Sequence, residues 1–162
     1  MKKKIIIAAC AFGVIATFTG CATNTSTKIS SSVAMANPWE EYKTLEEAEE
    51  TVGFEITLPE AWTDADDAVY RVCAGLNEIE VQINDGSDLV RKAKDDGDIS
   101  GDYNEYASEE EVTVDDVTAT FKGDDKDSVS LAVWTSGDYS YSISLSDAVS
   151  ADEMQKLVES LK

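Results

Sequence analysis

The chain has 162 residues, with 33 acidic residues against 13 basic ones and no histidine. Its formal net charge of −20 gives a surface that repels nucleic acid, so nucleic acid is not an expected partner. The lack of histidine excludes catalysis by Ser-His-Asp or Cys-His groups and deprives zinc sites of their usual ligands. No phosphate-binding glycine loop occurs either. The sequence therefore predicts a protein without cofactor or metal, and not an enzyme.

The N-terminus has the order of a secretory signal. Lysines at 2–4 precede the apolar run Ile5–Phe18, and small residues precede Cys21. The run is short of the roughly 20 residues that span a bilayer. The ending Phe18-Thr19-Gly20-Cys21 resembles the lipobox of bacterial lipoproteins, in which the signal is cleaved before the cysteine and a diacylglycerol is attached to its thiol. The resemblance implies a signal peptide over 1–20 and a lipid on Cys21 that anchors the chain at the extracytoplasmic face of the cell membrane. The alternative is an ordinary secretory signal that happens to contain Cys21.

The remainder divides into a tether and a domain. Residues 21–36 are rich in serine and threonine and predict a flexible tether, while 37–162 is long enough for one globular domain. Without residues 1–20 the chain has ten basic and 33 acidic residues, a formal net charge of −23. Cys73 is then the one cysteine left for the domain. An intramolecular disulfide is therefore excluded, and a buried apolar role is expected for Cys73.

Two capping boxes predict two helices. Thr44-Leu-Glu-Glu47 precedes apolar residues at helical spacing, and Gly53 is a natural stop, which predicts a helix over 45–52. Ser150-Ala-Asp-Glu153 precedes an amphipathic pattern that runs to Leu161. The apolar stripe of this C-terminal helix is expected to pack on a sheet.

Period-two alternation predicts about seven strands between these helices. Ile79, Val81 and Ile83 alternate with glutamates and a glutamine that turn away from the core, and a turn at Gly75-Leu76 would set Val72 opposite Ile79. Asp88 to Lys94 is a weaker strand, and four further alternating segments follow between 112 and 145. The predicted fold class is α+β: a curved antiparallel meander of about seven strands with a short N-terminal helix and an amphipathic C-terminal one.

The last hairpin predicts a candidate binding residue. A three-residue loop at 136–138 would set Val133 opposite Tyr141 and align the apolar faces. Trp134 would then lie on the other face among serines and alanine, where a large aromatic ring could form the floor of a groove. The alternative is that Trp39, Trp62 or the first helix covers the ring.

The acidic loop Asp95 to Asn104 raises the question of calcium. Asp96, Asp98, Ser100 and Gly101 match the start of a calcium loop, but Ala107 stands where the bidentate glutamate belongs. A solvated acidic loop is favoured, and calcium binding stays open.

The domain also resembles a family of uncharacterised surface lipoproteins of Gram-positive bacteria. The similarity lies in Asn37-Pro38-Trp39, Leu45-Glu-Glu-Ala48 and Gly53-Phe54, and in the ending Trp134, Gly137, Tyr139, Tyr141, Glu153, Leu157 and Ser160-Leu161. Related modules of unknown function occur at the C-terminus of anti-sigma-factor-like membrane proteins. The resemblance implies an extracytoplasmic sheet with helices and no catalytic residues. The architecture is also distantly similar to the half-barrel of lipoprotein carriers that hold acyl chains.

These observations favour a non-catalytic lipoprotein that binds a protein partner, an envelope component or an apolar ligand. One alternative is a carrier or sensor of apolar ligands in a half-barrel groove, and another is a hydrolase using paired carboxylates. A structural or stress-sensing envelope module is suggested by family analogy alone. A cleft with two close carboxylates, one of raised pKa, would favour the hydrolase.

Overall fold

Eight strands and two helices occur in the residues that the computed structural model describes, 37–95 and 97–161. The expected signal (1–20), Cys21 and the tether (21–36) lie outside them. The elements in chain order are β1 (Glu40–Tyr42), α1 (Leu45–Val52), β2 (Val69–Cys73), β3 (Glu78–Ile83), β4 (Asp88–Ala93), β5 (Ser108–Val114), β6 (Val117–Asp125), β7 (Ser128–Ser136), β8 (Tyr139–Val149) and α2 (Ala151–Leu161). Single turns of 3₁₀ helix lie at Glu60–Trp62 and Ala74–Leu76.

The strands form one antiparallel sheet in the order β1-β2-β3-β4-β8-β7-β6-β5. This confirms the predicted α+β class and the antiparallel sheet. β1 was not predicted, because its three residues are too few to show an alternation. The sheet consists of two four-stranded meanders, β1–β4 and β5–β8, which meet where β4 pairs with β8.

Both helices begin at their predicted capping boxes. Thr44 Oγ1 accepts a hydrogen bond from the Glu47 N–H at 3.2 Å, and α1 ends at Gly53 in the left-handed conformation, so the predicted bounds are confirmed. Ser150 Oγ accepts from the Glu153 N–H at 3.3 Å at the start of α2. Within the described residues, no helix is long and apolar enough to cross a membrane.

One face of the sheet, which we call the helix face, packs against both helices. A cross-strand row of apolar side chains runs along it through Val81, Val90, Ile143, Ala132 and Phe121. These residues belong to one hydrophobic core with Ala48 of α1 and with Met154, Val158 and Leu161 of α2. The predicted burial of the α2 stripe is thereby confirmed.

The opposite face is covered by the crossover segment, residues 94–95 and 97–107 of the connection from β4 in the middle of the sheet to β5 at its edge. We call this face the crossover face. Side chains of this face donate three hydrogen bonds to the segment. Ser140 Oγ donates to the Asp95 carbonyl (2.9 Å), Arg91 Nη1 to the Ile99 carbonyl (3.0 Å) and Lys122 Nζ to the Asp98 carboxylate (3.2 Å). Ser140, Ser142 and Leu131 of this face are consequently buried.

The two hairpin registers that the sequence analysis proposed have opposite outcomes. Val72 lies opposite Ile79 as predicted, although four residues, 74–77, form the turn. In the last hairpin a two-residue loop, Gly137-Asp138, sets Ser136 opposite Tyr139, so the predicted three-residue loop is wrong. Gly137 has φ +60°, which is typical of the first central residue of a type II′ turn.

Candidate functional site

Trp134 is not the floor of a groove. Because of the two-residue loop it pairs with Tyr141 on the helix face, where the two rings stack with centroids 5.3 Å apart and planes 6° from parallel. The ring is 4% exposed and belongs to the hydrophobic core. Ser140 and Ser142, which were expected beside it, lie on the crossover face instead. Cys21, the predicted lipidation site, lies outside the described residues.

The chain has two arginines, and the strand register places both beside one glutamate. Arg71 of β2 and Arg91 of β4 lie directly opposite Glu80 of β3 on the crossover face. Arg71 donates to Glu80 Oε1, Gln82 Nε2 donates to the same oxygen at 2.7 Å, and Arg91 Nε donates to Oε2 at 2.6 Å. Glu80 is fully buried, so its charge is compensated by hydrogen-bonded partners, as a buried charge requires.

Trp39 packs over this ion pair network. The guanidinium carbons of Arg71 and Arg91 lie 5.3 and 5.5 Å from its ring centroid, within the range of cation–π attraction. Trp39 directly precedes β1, so the short strand missed by the sequence analysis positions this ring.

Glu78 lies in the next cross-strand row, between Cys73 and Ala93, with Ser140 beyond. Its side chain is 6% exposed, and its Oε1 is 3.6 Å from Arg91 Nε without a hydrogen bond. Arg91 instead donates through Nε to Glu80 and through Nη1 to the carbonyls of Ile99 and Ser100.

The environment of Glu78 favours its neutral form. Burial raises the pKa of Glu78 to about 7, because a carboxylate loses solvation there. The guanidinium of Arg91 opposes this rise, whereas the negative charges of Glu80 and Asp95 add to it. Near neutral pH the group therefore exists in both protonation states, which is unusual for a carboxyl group.

A pocket of about 420 Å³ opens beside Glu78 at the crossover face. We call it the crossover pocket. Its lining residues are Trp39, Leu76, Glu78, Arg91, Ala93, Asp95, Asp98, Ile99, Gly101 and Tyr103. Ala93, the small residue next to Glu78 in the cross-strand row, lines the pocket and leaves space that a larger side chain would fill.

The roof of the pocket is a series of tight turns in the crossover segment. The carboxylates of Asp98 and Asp102 accept hydrogen bonds from the backbone N–H groups of Ser100 and Asn104, at 2.9 and 2.6 Å. Gly101 has φ +65°, and a Cβ atom there would lie 2.6 Å from Arg91 Nη1. The roof therefore requires glycine at this position for both its conformation and its contact.

The calcium question concerns the same segment. Burial acts to raise the pKa of Asp98, but hydrogen bonds from Ser100 and Lys122 hold this pKa below its usual value. Asp96, the first position of the calcium-like pattern, lies outside the described residues. In the parts of the chain that the structure describes, no three acidic or cysteine side chains come together as metal ligands would.

Glu78 and Glu80 lie on the predicted face, but their burial was not predicted. In a chain with 33 acidic residues no single acidic residue is conspicuous in the sequence. The rarity of arginine was the available signal, since the register of β2 and β3 already sets Arg71 opposite Glu80.

Comparison with known proteins gives no counterpart for this arrangement: no family model, curated protein or solved structure matches the chain. The resemblance to Gram-positive surface lipoproteins therefore stays a prediction.

Proposed function

We propose that this chain is a non-catalytic binding module, held at the extracytoplasmic membrane face by a lipid on Cys21, and that the crossover pocket is its binding site. The observation that carries the proposal is the Glu78 carboxylate oxygen, which is buried at the pocket wall without a hydrogen bond. Buried polar groups are nearly always satisfied, so this oxygen calls for a partner that the described residues do not supply, and a ligand in the pocket would supply one.

The position of Trp134 argues against the apolar carrier. That alternative depended on an aromatic floor surrounded by small residues, whereas the indole is covered by Tyr141 and the core. The crossover pocket instead combines carboxylates with aromatic rings at its wall.

The raised pKa of Glu78 favours a second candidate, a hydrolase using paired carboxylates. Glu80 is not available as the second carboxylate, because Arg71, Gln82 and Arg91 occupy its oxygens. In such a hydrolase, Asp95 or Asp98 would have to act as the second carboxylate. Asp98 already accepts hydrogen bonds from Lys122 and Ser100, so the pocket supports binding better than catalysis.

The pocket is tested by ¹⁹F NMR of the lipidated chain, which is labelled with 5-fluorotryptophan and inserted into zwitterionic nanodiscs. The three tryptophans give three signals, and Trp39→Phe assigns the one at the pocket. We expect small polar probes to shift the Trp39 signal, while Trp62 and Trp134, both buried in the core, serve as internal controls.

Two results would contradict this assignment. A fatty acid that shifts Trp134 alone would restore the apolar carrier. Release of nitrophenolate from nitrophenyl esters or glycosides, lost in Glu78→Gln, would establish the hydrolase.

The anchor is tested separately through Cys21→Ala. Because the proposed anchor is a lipid on the Cys21 thiol, we expect the variant to remain uncleaved or to leave the membrane fraction. Membrane fractionation and intact-mass measurement follow both outcomes, with Cys10→Ala as the control within the signal. Unchanged partitioning of Cys21→Ala, with a mass that differs by the substitution alone, would rule out the anchor.

A further inference from the structure

The charged groups at the wall of the crossover pocket are Glu78, Asp95, Asp98 and Arg91. Arg91 is paired with the fully buried Glu80, and Asp98 is paired with Lys122 at 3.2 Å. Glu78 Oε1, by contrast, makes no hydrogen bond within the described residues. An ionised Glu78 therefore attracts a cation at this wall.

The rim of the pocket is aromatic and apolar. Tyr103 is 96% exposed and Leu76 is 57% exposed, the two large apolar side chains most open to solvent in the described residues. Trp39 lies on the same rim, and its ring already attracts two guanidinium groups. Exposed large side chains around a concave acidic wall are typical of a site that contacts both the charge and the carbon stem of a ligand.

We infer that the crossover pocket binds a small organic cation, an ammonium group on an apolar stem, and that Glu78 is the carboxylate that receives the ammonium. This rests on the proposed function and specifies its ligand class. A volume of about 420 Å³ is within the range of small-molecule sites. An organic cation also suits the wall better than a metal ion, since the described residues gather no set of metal ligands.

Protonation of Glu78 and binding of a cation oppose each other. The charged and titratable groups around it are Arg71 and Cys73 on β2, Arg91 on β4, Glu80 on its own strand, and Asp95 and Asp98 on the crossover segment. An ammonium group favours the ionised carboxylate and so releases the proton that Glu78 holds near neutral pH. Affinity therefore rises as the pH rises through about 7.

The test is a titration of the full-length lipidated chain in zwitterionic nanodiscs, followed by the Trp39 ¹⁹F signal. The probes are n-butylammonium, n-butanol, butyrate and calcium chloride. We expect n-butylammonium to bind most tightly, with an affinity about tenfold higher at pH 8 than at pH 6, the ratio of the ionised Glu78 fractions at the two values. Calorimetry in two buffers of different ionisation enthalpy should detect the released proton.

Two variants localise the effect. Glu78→Gln should lower the n-butylammonium affinity at least about tenfold and remove its pH dependence, since only the ionised fraction binds. Glu111→Gln, which removes the same charge from the exposed strand β5, should change neither. Equal binding of n-butanol, preference for butyrate or tighter binding of calcium would overturn the inference while leaving a binding pocket. If no probe shifts Trp39, the inference and the proposed function both fail.

Discussion

Trp134→Ala is expected to lower the free energy of unfolding by about 3–5 kcal/mol. The indole is 4% exposed and stacks on Tyr141, so its removal leaves a cavity between the sheet and the rest of the core. Its N–H makes no hydrogen bond within the described residues, so the loss is one of packing. Urea unfolding followed by circular dichroism measures the effect.

Thr135→Ala is the matched control for Trp134. Thr135 is the next residue on β7 but is exposed on the opposite face, so its truncation should cost no more than about 0.5 kcal/mol. A Trp134→Ala loss below about 1 kcal/mol would mean that the ring is not covered in solution, which would reopen the groove hypothesis.

Glu80→Gln is expected to cost about 3–5 kcal/mol, because it leaves two arginines without their carboxylate partner. Arg71 and Arg91 both donate to Glu80, and the glutamine amide would direct N–H groups toward guanidinium donors. Arg91 also holds the roof of the crossover pocket through the carbonyls of Ile99 and Ser100. Urea unfolding again measures the loss, and hydrogen exchange of residues 99–103 should increase with it.

Glu111→Gln provides the control for Glu80. It removes the same charge from the same cross-strand row, but at the exposed edge of the sheet, where the cost should stay within about 0.5 kcal/mol. A Glu80→Gln variant as stable as this control would show that the network contributes nothing to the folded state.

Local signals in the sequence were sufficient for the helices and for the first hairpin. The bounds of α1 follow from Thr44 and Gly53, whose caps act within a few residues. The register of β2 and β3 follows because one side of β3, with Ile79 and Val81, is apolar and the other is not.

The last hairpin was not predictable in the same way because β7 is buried on both faces. Leu131 packs under the crossover segment on one face, while Ala132 and Trp134 pack in the core on the other. When both faces are apolar, alternation no longer tells which one faces the helices. The one-residue error placed Trp134 beside serines that belong to the other face.

The candidate site depended on contacts between residues distant in sequence. Glu78 and Glu80 are buried because the crossover segment and Trp39 cover them, and no local pattern indicates such a cover. The pairing of β4 with β8 was not predictable either, since strand alternation does not specify which non-consecutive strands pair.

The pairing of β4 with β8 also affects how the chain folds. Within each meander every strand pairs with its neighbour in sequence, and apart from residues 43–68, which include α1, the connections to be closed are short. The pairing of Leu89 with Ser144 instead closes a long stretch of chain and must trap the crossover segment on the sheet as it forms. Loop-closure entropy must be lost before such non-local contacts form, which slows the folding of β-rich proteins. The docking of the two meanders through β4 and β8 is thus the most non-local strand pairing that this fold requires.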